Sequence, residues 1–437
     1  MELLLRSGAS VSAADLRSAG ELGVESLGWS DRGVELRLGP QTPDMLDGVD
    51  LVVLSPGVPL DSVLPAAARE RGVQVIGELE LAYGMSKGRW LAVTGTNGKT
   101  TTTALLGELV RTTGLPTAVA GNIGLALSGE VESIPSDGLI VAEVSSFQLD
   151  TIETFGPHVG VLLNVTEDHL DRYDSFDAYF ESKARVFENQ RSTDFAVLNF
   201  DDELVRSLSG RVAATVVPVS AEREVKDGVF LRDSTIVSQV GGGEQKIIEA
   251  REIGIPGTHN LSNALAATAA ARAVGVAAED AARVLASFRS LEHRLETVAV
   301  VDGVRYVNDS KATNVDAVGF ALRSFDAAVV LIAGGKDKGT DFAPLARAVA
   351  ERVKRLILIG EAADKMEREL GGVVDTERAD SLGDAVRAAR RAASAGDVVL
   401  LSPACASFDM FDDFEDRGRR FKDEVARLEP AADGGGS

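Results

Sequence analysis

A chain of 437 residues with 67 acidic and 45 basic side chains carries a net charge of −22, which excludes a general nucleic-acid binder, because a phosphate backbone demands a cationic face. The length allows about three domains of 100 to 200 residues, and 45% hydrophobic with 26% charged residues is ordinary for a soluble globular protein. No apolar run reaches the roughly 18 residues of a membrane span, no basic segment precedes the leucines of MELLLRSGAS, and the lone Cys405 excludes an internal disulfide, so a cytoplasmic protein with no membrane partner and no structural metal is expected.

The opening residues read as a short helix over 2–6, capped by Gly8, and a strand ending near Asp15. In a dinucleotide-type fold a strand and a glycine-rich turn precede such a helix. Neither stands ahead of it, so the first strand of this unit is expected to be missing and its sheet to keep an unfilled edge. A strand at 50–54, the turn Ser55-Pro56-Gly57, an alanine-rich helix and a strand at 73–76 complete a unit expected to span 1–88.

A second unit, 89–290, starts with a strand at 90–94, a glycine loop and a helix through about Arg111. Apolar strands follow at 139–142, 159–163 and 195–198, then a small antiparallel excursion over 221–253, then helices at 260–274 and 278–287. A third unit, 291–437, has strands at 304–307, 328–333, 355–359 and 398–401, each followed by a turn or helix signal. That rhythm predicts a parallel sheet covered on both faces, with ligands gathered at the carboxyl ends of its strands. The tail, 433–437, reads as a flexible terminus.

The segment Leu91-Ala-Val-Thr-Gly-Thr-Asn-Gly-Lys-Thr-Thr-Thr102 runs an apolar strand into a Gly-Lys-Thr loop at a helix start. Backbone N–H groups there, with the Lys99 ammonium, can cradle a polyphosphate, and the Thr100 hydroxyl can ligate Mg²⁺. Gly95, Thr96, Asn97, Gly98, Lys99, Thr100, Thr101 and Thr102 are the predicted nucleotide site; the alternative is a glycine turn beside an incidental lysine, against which the flanking strand and helix count. Glu143 closes an apolar strand where a metal-binding acid would face that loop. Asn164-Val-Thr-Glu-Asp-His-Leu-Asp-Arg172 is a polar cluster at another strand end, in which His169 either ligates a second metal or is satisfied by nearby acids.

On these residues the chain resembles the Mur ligases, ATP-dependent enzymes that extend the peptidoglycan stem peptide. The resemblance is carried by Thr94-Gly-Thr-Asn-Gly-Lys-Thr100, Gly121-Asn-Ile-Gly124, Glu143-Val-Ser-Ser-Phe-Gln148, Asn164-Val-Thr-Glu-Asp-His169, His259-Asn-Leu-Ser-Asn-Ala264, His293-Arg294 and Asn308-Asp-Ser-Lys-Ala-Thr-Asn314, in that order. Gly334-Gly-Lys-Asp-Lys338 and Leu401-Ser-Pro-Ala-Cys-Ala-Ser-Phe-Asp-Met-Phe411, with Phe414, resemble the D-glutamate-adding member in particular.

The resemblance implies three α/β domains: Rossmann-like at the N-terminus, P-loop ATPase-like in the centre and Rossmann-like at the C-terminus. It implies ATP and two Mg²⁺ ions as cofactors, UDP-N-acetylmuramoyl-L-alanine and D-glutamate as substrates, and an acyl-phosphate route to the new amide; a monomer is expected. Lys99, Glu143, His169 and Lys183 become the catalytic set, with Lys183 carbamylated and joining Thr100, Glu143 and His169 around the metals. Asn263, Arg294 and Asp309 would hold the nucleotide, Asn122 and Ser145 the muramoyl-alanine end, and Asp15 and Arg17 the uridine, although Leu16 stands where a hydroxyl would suit that contact better. Thr313, Lys338, Ser407 and Phe408, with Phe414 nearby, would take D-glutamate, whose carboxylates need cations or hydroxyl donors. Cys405 reads as a packing residue and His158 as structural. Two alternatives stand beside this one: a sister Mur or folylpolyglutamate-type ligase, which 401–411 argues against, and a non-catalytic nucleotide-binding paralogue, which the joint presence of Lys99, Glu143, His169 and Lys183 disfavours.

Overall fold

The computed structural model describes residues 1–19, 28–122, 125–166, 172–255, 257–289, 292–323, 325, 327–337 and 340–428, with the backbone alone at 259, 316 and 320. Its contacts divide into two compact units, Met1–Phe288 and Arg289–Ser437. The predicted tail at 433–437 lies outside the described residues.

In the first unit the helix Glu2–Arg6 and strand β1 (Ser12–Asp15) fall where the sequence places them. Strand β1 pairs in parallel with β2 (Glu35–Leu38), and β3 (Leu51–Leu54) pairs in parallel with β4 (Gln74–Gly77). These are separate two-stranded sheets, and among the described residues no strand joins them. The expected single sheet is thus in two pieces, and β2, whose Glu-Leu-Arg-Leu alternation is very short, is an addition to the sequence reading.

The rest of this unit is built on one sheet of nine strands: β5 (Arg89–Thr94), β6 (Thr117–Gly121), β7 (Leu139–Glu143), β8 (Val159–Leu162), β9 (Phe195–Asn199), β10 (Thr215–Ser220), β11 (Val229–Arg232), β12 (Thr235–Ser238) and β13 (Gln245–Glu249). Its order is β13-β12-β11-β10-β9-β8-β5-β7-β6. Strand side chains alternate between faces, so Leu91 and Val93 enter one core while Trp90 and Ala92 enter the other. Burial on both faces is why these runs are almost uninterruptedly apolar. The helices Lys99–Arg111 and Thr258–Ala273 cover the first face, the latter through an alanine-rich surface that permits close approach. The excursion predicted over 221–253 is not a separate antiparallel patch: β11 continues β10 in parallel, β12 alone runs against it, and β13 turns back to the original direction, all extending the same sheet.

A buried acid is among the groups that fasten the N-terminal pieces to this sheet, beside Gln74, Tyr83 and Glu78. Glu80, on the helix Glu78–Met85, accepts from the backbone N–H groups of Glu153, Thr154 and Phe155 and from the Thr154 hydroxyl. Beside it the rings of Tyr83, Trp90 and Phe155 meet edge-on with centroids 5.2 to 5.7 Å apart.

The second unit has a six-stranded sheet, ordered β14-β15-β19-β16-β17-β18, from β14 (Glu296–Val301), β15 (Val304–Asn308), β16 (Val329–Gly334), β17 (Val353–Ile359), β18 (Thr376–Arg378) and β19 (Val398–Leu401). The predicted all-parallel sheet is corrected at its edge, where β14 runs antiparallel to β15. Asp302 and Gly303 turn that hairpin with φ of 52° and 77°, the left-handed pair that a two-residue hairpin requires.

Candidate active site

Strand β5 lies between β8 and β7, so three neighbouring strands deliver their carboxyl ends to one place. Just past β5, Gly95 and Gly98 take φ of 150° and 84°, and a Cβ on Gly98 would lie 2.2 Å from Asn263 Oδ1. Only glycine allows that turn and that approach. Asn164, beyond β8, braces the loop: its Oδ1 accepts from Asn97 N–H at 2.8 Å, its Nδ2 donates to Asn97 O at 3.1 Å, and its carbonyl accepts from Thr96 N–H at 2.9 Å. The helix Lys99–Arg111 then opens at Gly98 with no side-chain cap, which leaves first-turn N–H groups for an anion.

Two lysines converge on this loop. Lys99 Nζ donates to the carbonyl oxygens of Gly95 and Thr96, each at 2.9 Å, and Lys183 Nζ donates to the Gly95 oxygen, also at 2.9 Å. Lys183 is 1% exposed and lies 4.5 Å from the centroid of the Tyr179 ring.

Glu143 ends β7 in register with Val93 of β5. It is 2% exposed; its Oε1 accepts from Asn122 Nδ2 at 2.8 Å, and its buried Oε2 has no hydrogen-bond partner among the described residues. A buried carboxylate oxygen left without a donor is costly, and a hard cation offsets that cost. The oxygen donors Glu143 and Thr100 therefore fit Mg²⁺ at this loop, whereas no group of three or more His, Cys, Asp or Glu side chains among the described residues is arranged to hold a metal. His169 lies outside the described residues. Thr100 and Thr102 are buried in the first turn of the helix, and Thr101 is half-buried.

Ser145 caps the helix Ser146–Leu149 in a reciprocal box with Gln148, so its hydroxyl is engaged locally. Next to that helix is a cavity of about 540 Å³ lined by Ser55, Pro56, Glu78, Phe147, Asp150 and Arg172 among others. Asp15, Arg17, Asn122 and Ser145 are not among its lining residues. Asp15 and Arg17 form a bidentate ion pair, Nε to Oδ1 at 3.1 Å and a terminal nitrogen to Oδ2 at 3.0 Å, and this holds the Asp15 carboxyl down at about 2. On the cavity wall Asp150 accepts from Tyr173, whose hydroxyl burial pushes up to about 12, so it stays a donor at neutral pH. The pairing of Asp150 with Tyr173 has no signal in the sequence.

Within the second unit the carboxyl ends of β15, β19 and β16 gather the remaining candidates. Asp309 is buried; it accepts from Ser402 Oγ at 2.8 Å and from Leu295 N–H at 3.2 Å, yet burial outweighs these donors and nearby Arg294 and raises its carboxyl to about 7. Arg294 sits between His293 and Leu295, both in left-handed backbone at φ of 64° and 44°, and its buried Nε has no hydrogen-bond partner among the described residues. Burial lowers the His293 imidazole, and its Nδ1 lies 2.9 Å from Asn308 Nδ2.

The loops bearing Thr313 and Ser407 are tied together by Arg417, which the sequence reading passed over as one charge among many on an amphipathic helix. It is 0% exposed: Nε donates to Ser310 Oγ at 2.9 Å, and the terminal nitrogens donate to the carbonyls of Ser310, Cys405 and Ala406. Ala404 N–H donates to Ala312 O at 2.9 Å, and Lys336 N–H to Ala406 O at 2.9 Å, which brings the Gly334-Gly335 loop alongside. Ser407 is buried, Phe408 is 69% exposed, and Phe414 starts the helix Phe414–Ala426 with its carbonyl accepting from Ser310 Oγ. Lys338 lies outside the described residues. Burial pushes the Cys405 thiol up to about 12, which fits a packing residue.

Known proteins match this chain throughout. Three family profiles fit it: the Mur ligase MurD-like N-terminal domain over 1–77, the Mur ligase middle domain over 93–271, and the Mur ligase glutamate ligase domain over 293–405. The UDP-N-acetylmuramoylalanine--D-glutamate ligase of Pelotomaculum thermopropionicum is 49% identical across 97% of this chain and 94% of its own length. That of Geobacter metallireducens is 48% identical over the same shares, 97% and 94%. Among solved structures, a pseudomurein peptide ligase type C from Methanothermus fervidus superposes with a TM-score of 0.59 at 18% identity, covering 98% of this chain and 96% of that one. The UDP-N-acetylmuramate-alanine ligase MurC of Thermotoga maritima follows at 0.57 and 19%, covering 98% and 95%. The matched stretches are the N-terminal, central and C-terminal domains of a three-domain α/β architecture, and the chain belongs to the Mur ligase family.

Proposed function

We propose that this protein is the ATP-dependent ligase that joins D-glutamate to UDP-N-acetylmuramoyl-L-alanine in peptidoglycan synthesis, acting in the cytoplasm. The observation that carries the reading is the pairing of a glycine loop on which Lys99 and Lys183 converge with a buried oxygen on Glu143, at the neighbouring strand end, that has no donor among the described residues. Relatives of nearly equal length, 49% and 48% identical, bear the name of this activity. Among the described residues no helix is long and apolar enough to cross a membrane.

In this reading the alanyl carboxylate oxygen attacks the γ-phosphorus of ATP, forming an acyl phosphate as the bond to ADP breaks. The D-glutamate amine attacks the activated carbonyl carbon, and the tetrahedral adduct expels inorganic phosphate while the amine proton passes to solvent. First-turn N–H groups and the Lys99 ammonium stabilise charge on the transferring phosphoryl group, since positioning and electrostatics dominate such steps. Thr100, Glu143, His169 and a carbamate on Lys183 would hold two Mg²⁺ ions, which would neutralise charge on the phosphates and the carboxylate. Asn263, Arg294 and Asp309 hold the nucleotide; Asn122 and Ser145 hold the muramoyl-alanine end; Asp15 and Arg17 meet the uridine. Thr313, Lys338, Ser407 and Phe408, with Phe414, take D-glutamate.

The test is phosphate release from ATP with UDP-N-acetylmuramoyl-L-alanine and D-glutamate, compared with L-glutamate and other amino acids. Release is expected only with both co-substrates and the D-isomer. Release that needs neither would replace the ligase with a nucleotidase.

A further inference from the structure

The side chain of Asp150 is the node of a small network that ends at Lys183. Both carboxylate oxygens are used: Oδ2 accepts from Tyr173 Oη at 2.7 Å and Oδ1 from Ser182 Oγ at 2.5 Å. Ser182, itself buried, also reaches Ser146 O at 3.1 Å, and its hydroxyl lies 3.2 Å from that of Tyr173. Ser182 is the residue before Lys183 on the helix Phe176–Ala184. A second route runs through rings: Tyr173 packs on Tyr179 with centroids 5.3 Å apart, and Tyr179 faces the Lys183 ammonium. On its other side Asp150 belongs to the wall of the 540 Å³ cavity with Phe147 and Arg172, whose guanidinium lies 4.0 Å over the Phe147 ring.

We infer that Asp150 is a positioning residue for Lys183, fixing through Ser182 and Tyr173 where the lysine nitrogen stands relative to Gly95. The inference rests on the reading of Lys183 as a carbamylated ligand. A lysine side chain has four rotatable bonds, so the position of its nitrogen is set by how firmly its backbone and its packing partner are held. Asp150 holds both, by accepting from the residue before the lysine and from Tyr173, whose ring packs against the Tyr179 ring that faces the lysine ammonium. Carbamylation of the ammonium forms a bond from the lysine nitrogen to the carbon of CO2 and releases two protons to solvent, one to free the nitrogen lone pair and one as the carbamate forms. The adduct persists only where the nitrogen stays in place, and partners one step removed from a ligand typically tune affinity or activity by about 10- to 100-fold.

The experiment compares the full-length wild type with Asp150→Asn and Tyr173→Phe, using ¹³C-bicarbonate and NMR to read the lysine carbamate directly. Steady-state kinetics and thermal melting run alongside. The asparagine variant is expected to melt close to the wild type, to show a weaker carbamate signal at low bicarbonate, and to lose kcat by about 10- to 100-fold with the KM for D-glutamate unchanged. Excess bicarbonate should restore both signal and kcat. Wild-type carbamate and kcat in Asp150→Asn, or a loss that bicarbonate leaves untouched, overturns the proposal. If Asp150→Asn does not fold, Tyr173→Phe, which keeps the ring and removes one donor, decides on the same readouts. A wild type that makes product without any carbamate overturns the proposal alone; one that makes no product overturns the functional reading and the proposal with it.

Discussion

Lys99 and Lys183 share an acceptor, the carbonyl oxygen of Gly95, which each reaches at 2.9 Å. Two ammonium groups at one oxygen repel each other, and converting one to a carbamate replaces the repulsion by attraction. Lys183→Ala should therefore lower kcat by about 100-fold or more, as loss of a transition-state charge partner does, while an ATP analogue still binds. Added acetate or propionate should restore part of the rate by supplying the lost oxygen donor. Phosphate release with and without the added acid checks this, and a rate indifferent to it counts against an anionic Lys183.

Gly98→Ala places a Cβ 2.2 Å from Asn263 Oδ1 at a backbone φ of 84°. The left-handed conformation alone costs about 1 to 3 kcal/mol in an L-residue, and the clash displaces Asn263 from the phosphate loop. Calorimetric titration with an ATP analogue should show affinity reduced by at least about tenfold, which is about 1.4 kcal/mol. Unchanged affinity would mean that Asn263 and Gly98 need not touch.

Asp309 predicts a pH effect whose sign is opposite to that of an ordinary ion-paired acid. Burial raises it from 3.8 to about 7, so over that range the folded state keeps a proton that the unfolded chain gives up. Its contribution is fully present below the unfolded value and is lost as pH rises toward 7. Asp309→Asn should remove this component, making urea midpoints of the ligand-free protein fall less from pH 4 to 7 than in the wild type. Parallel curves for the two proteins would show that Asp309 is ionised throughout.

Arg417→Met strips the donors from Ser310, Cys405 and Ala406 at once. Stability should drop by about 3 kcal/mol, the scale of charge-assisted hydrogen bonds lost in a dry interior. Because those acceptors belong to the loops of Thr313 and Ser407, the KM for D-glutamate should rise more than the KM for ATP. Equal changes in both constants would assign Arg417 to general folding.

Glu80→Gln keeps the shape of the clamp on Glu153, Thr154 and Phe155 but gives up the charge and some acceptor capacity. A loss of about 1 to 3 kcal/mol is expected. Hydrogen exchange should quicken first in the N-terminal strands, ahead of the nine-stranded sheet; uniform quickening would show that the clamp is not local.

Much of this was legible from periodicity and turn chemistry. The runs 90–94, 139–142, 159–163 and 195–198 are strands, because a chain buried on both faces has no reason to carry polar residues. Thr117–Gly121 escaped notice because Thr-Ala-Val-Ala-Gly has small side chains, and it sits at the sheet edge. Strand β14 escaped although Asp302-Gly303 marks its hairpin. In the site, Lys99 was legible from the loop motif and Glu143 from its place at the end of an apolar strand, while Lys183 entered through the resemblance alone; the two lysines share the Gly95 carbonyl, and Glu143 lies opposite Val93. Asp150, Tyr173 and Arg417 were invisible, since their partners lie from 9 to 107 residues away and only the tertiary fold brings them together.

The ladder register between β5 and β7 sets Val93 opposite Glu143. A strand cannot slide by a fraction of a residue without breaking its ladder, and a shift that keeps the acid on the same face moves it by two residues, about 6.6 Å. The span from this carboxylate to the glycine loop is therefore quantised by the sheet repeat. Cation size can be accommodated by side-chain rotamers alone, and substitutions in the distant surface turns have no path by which to retune it.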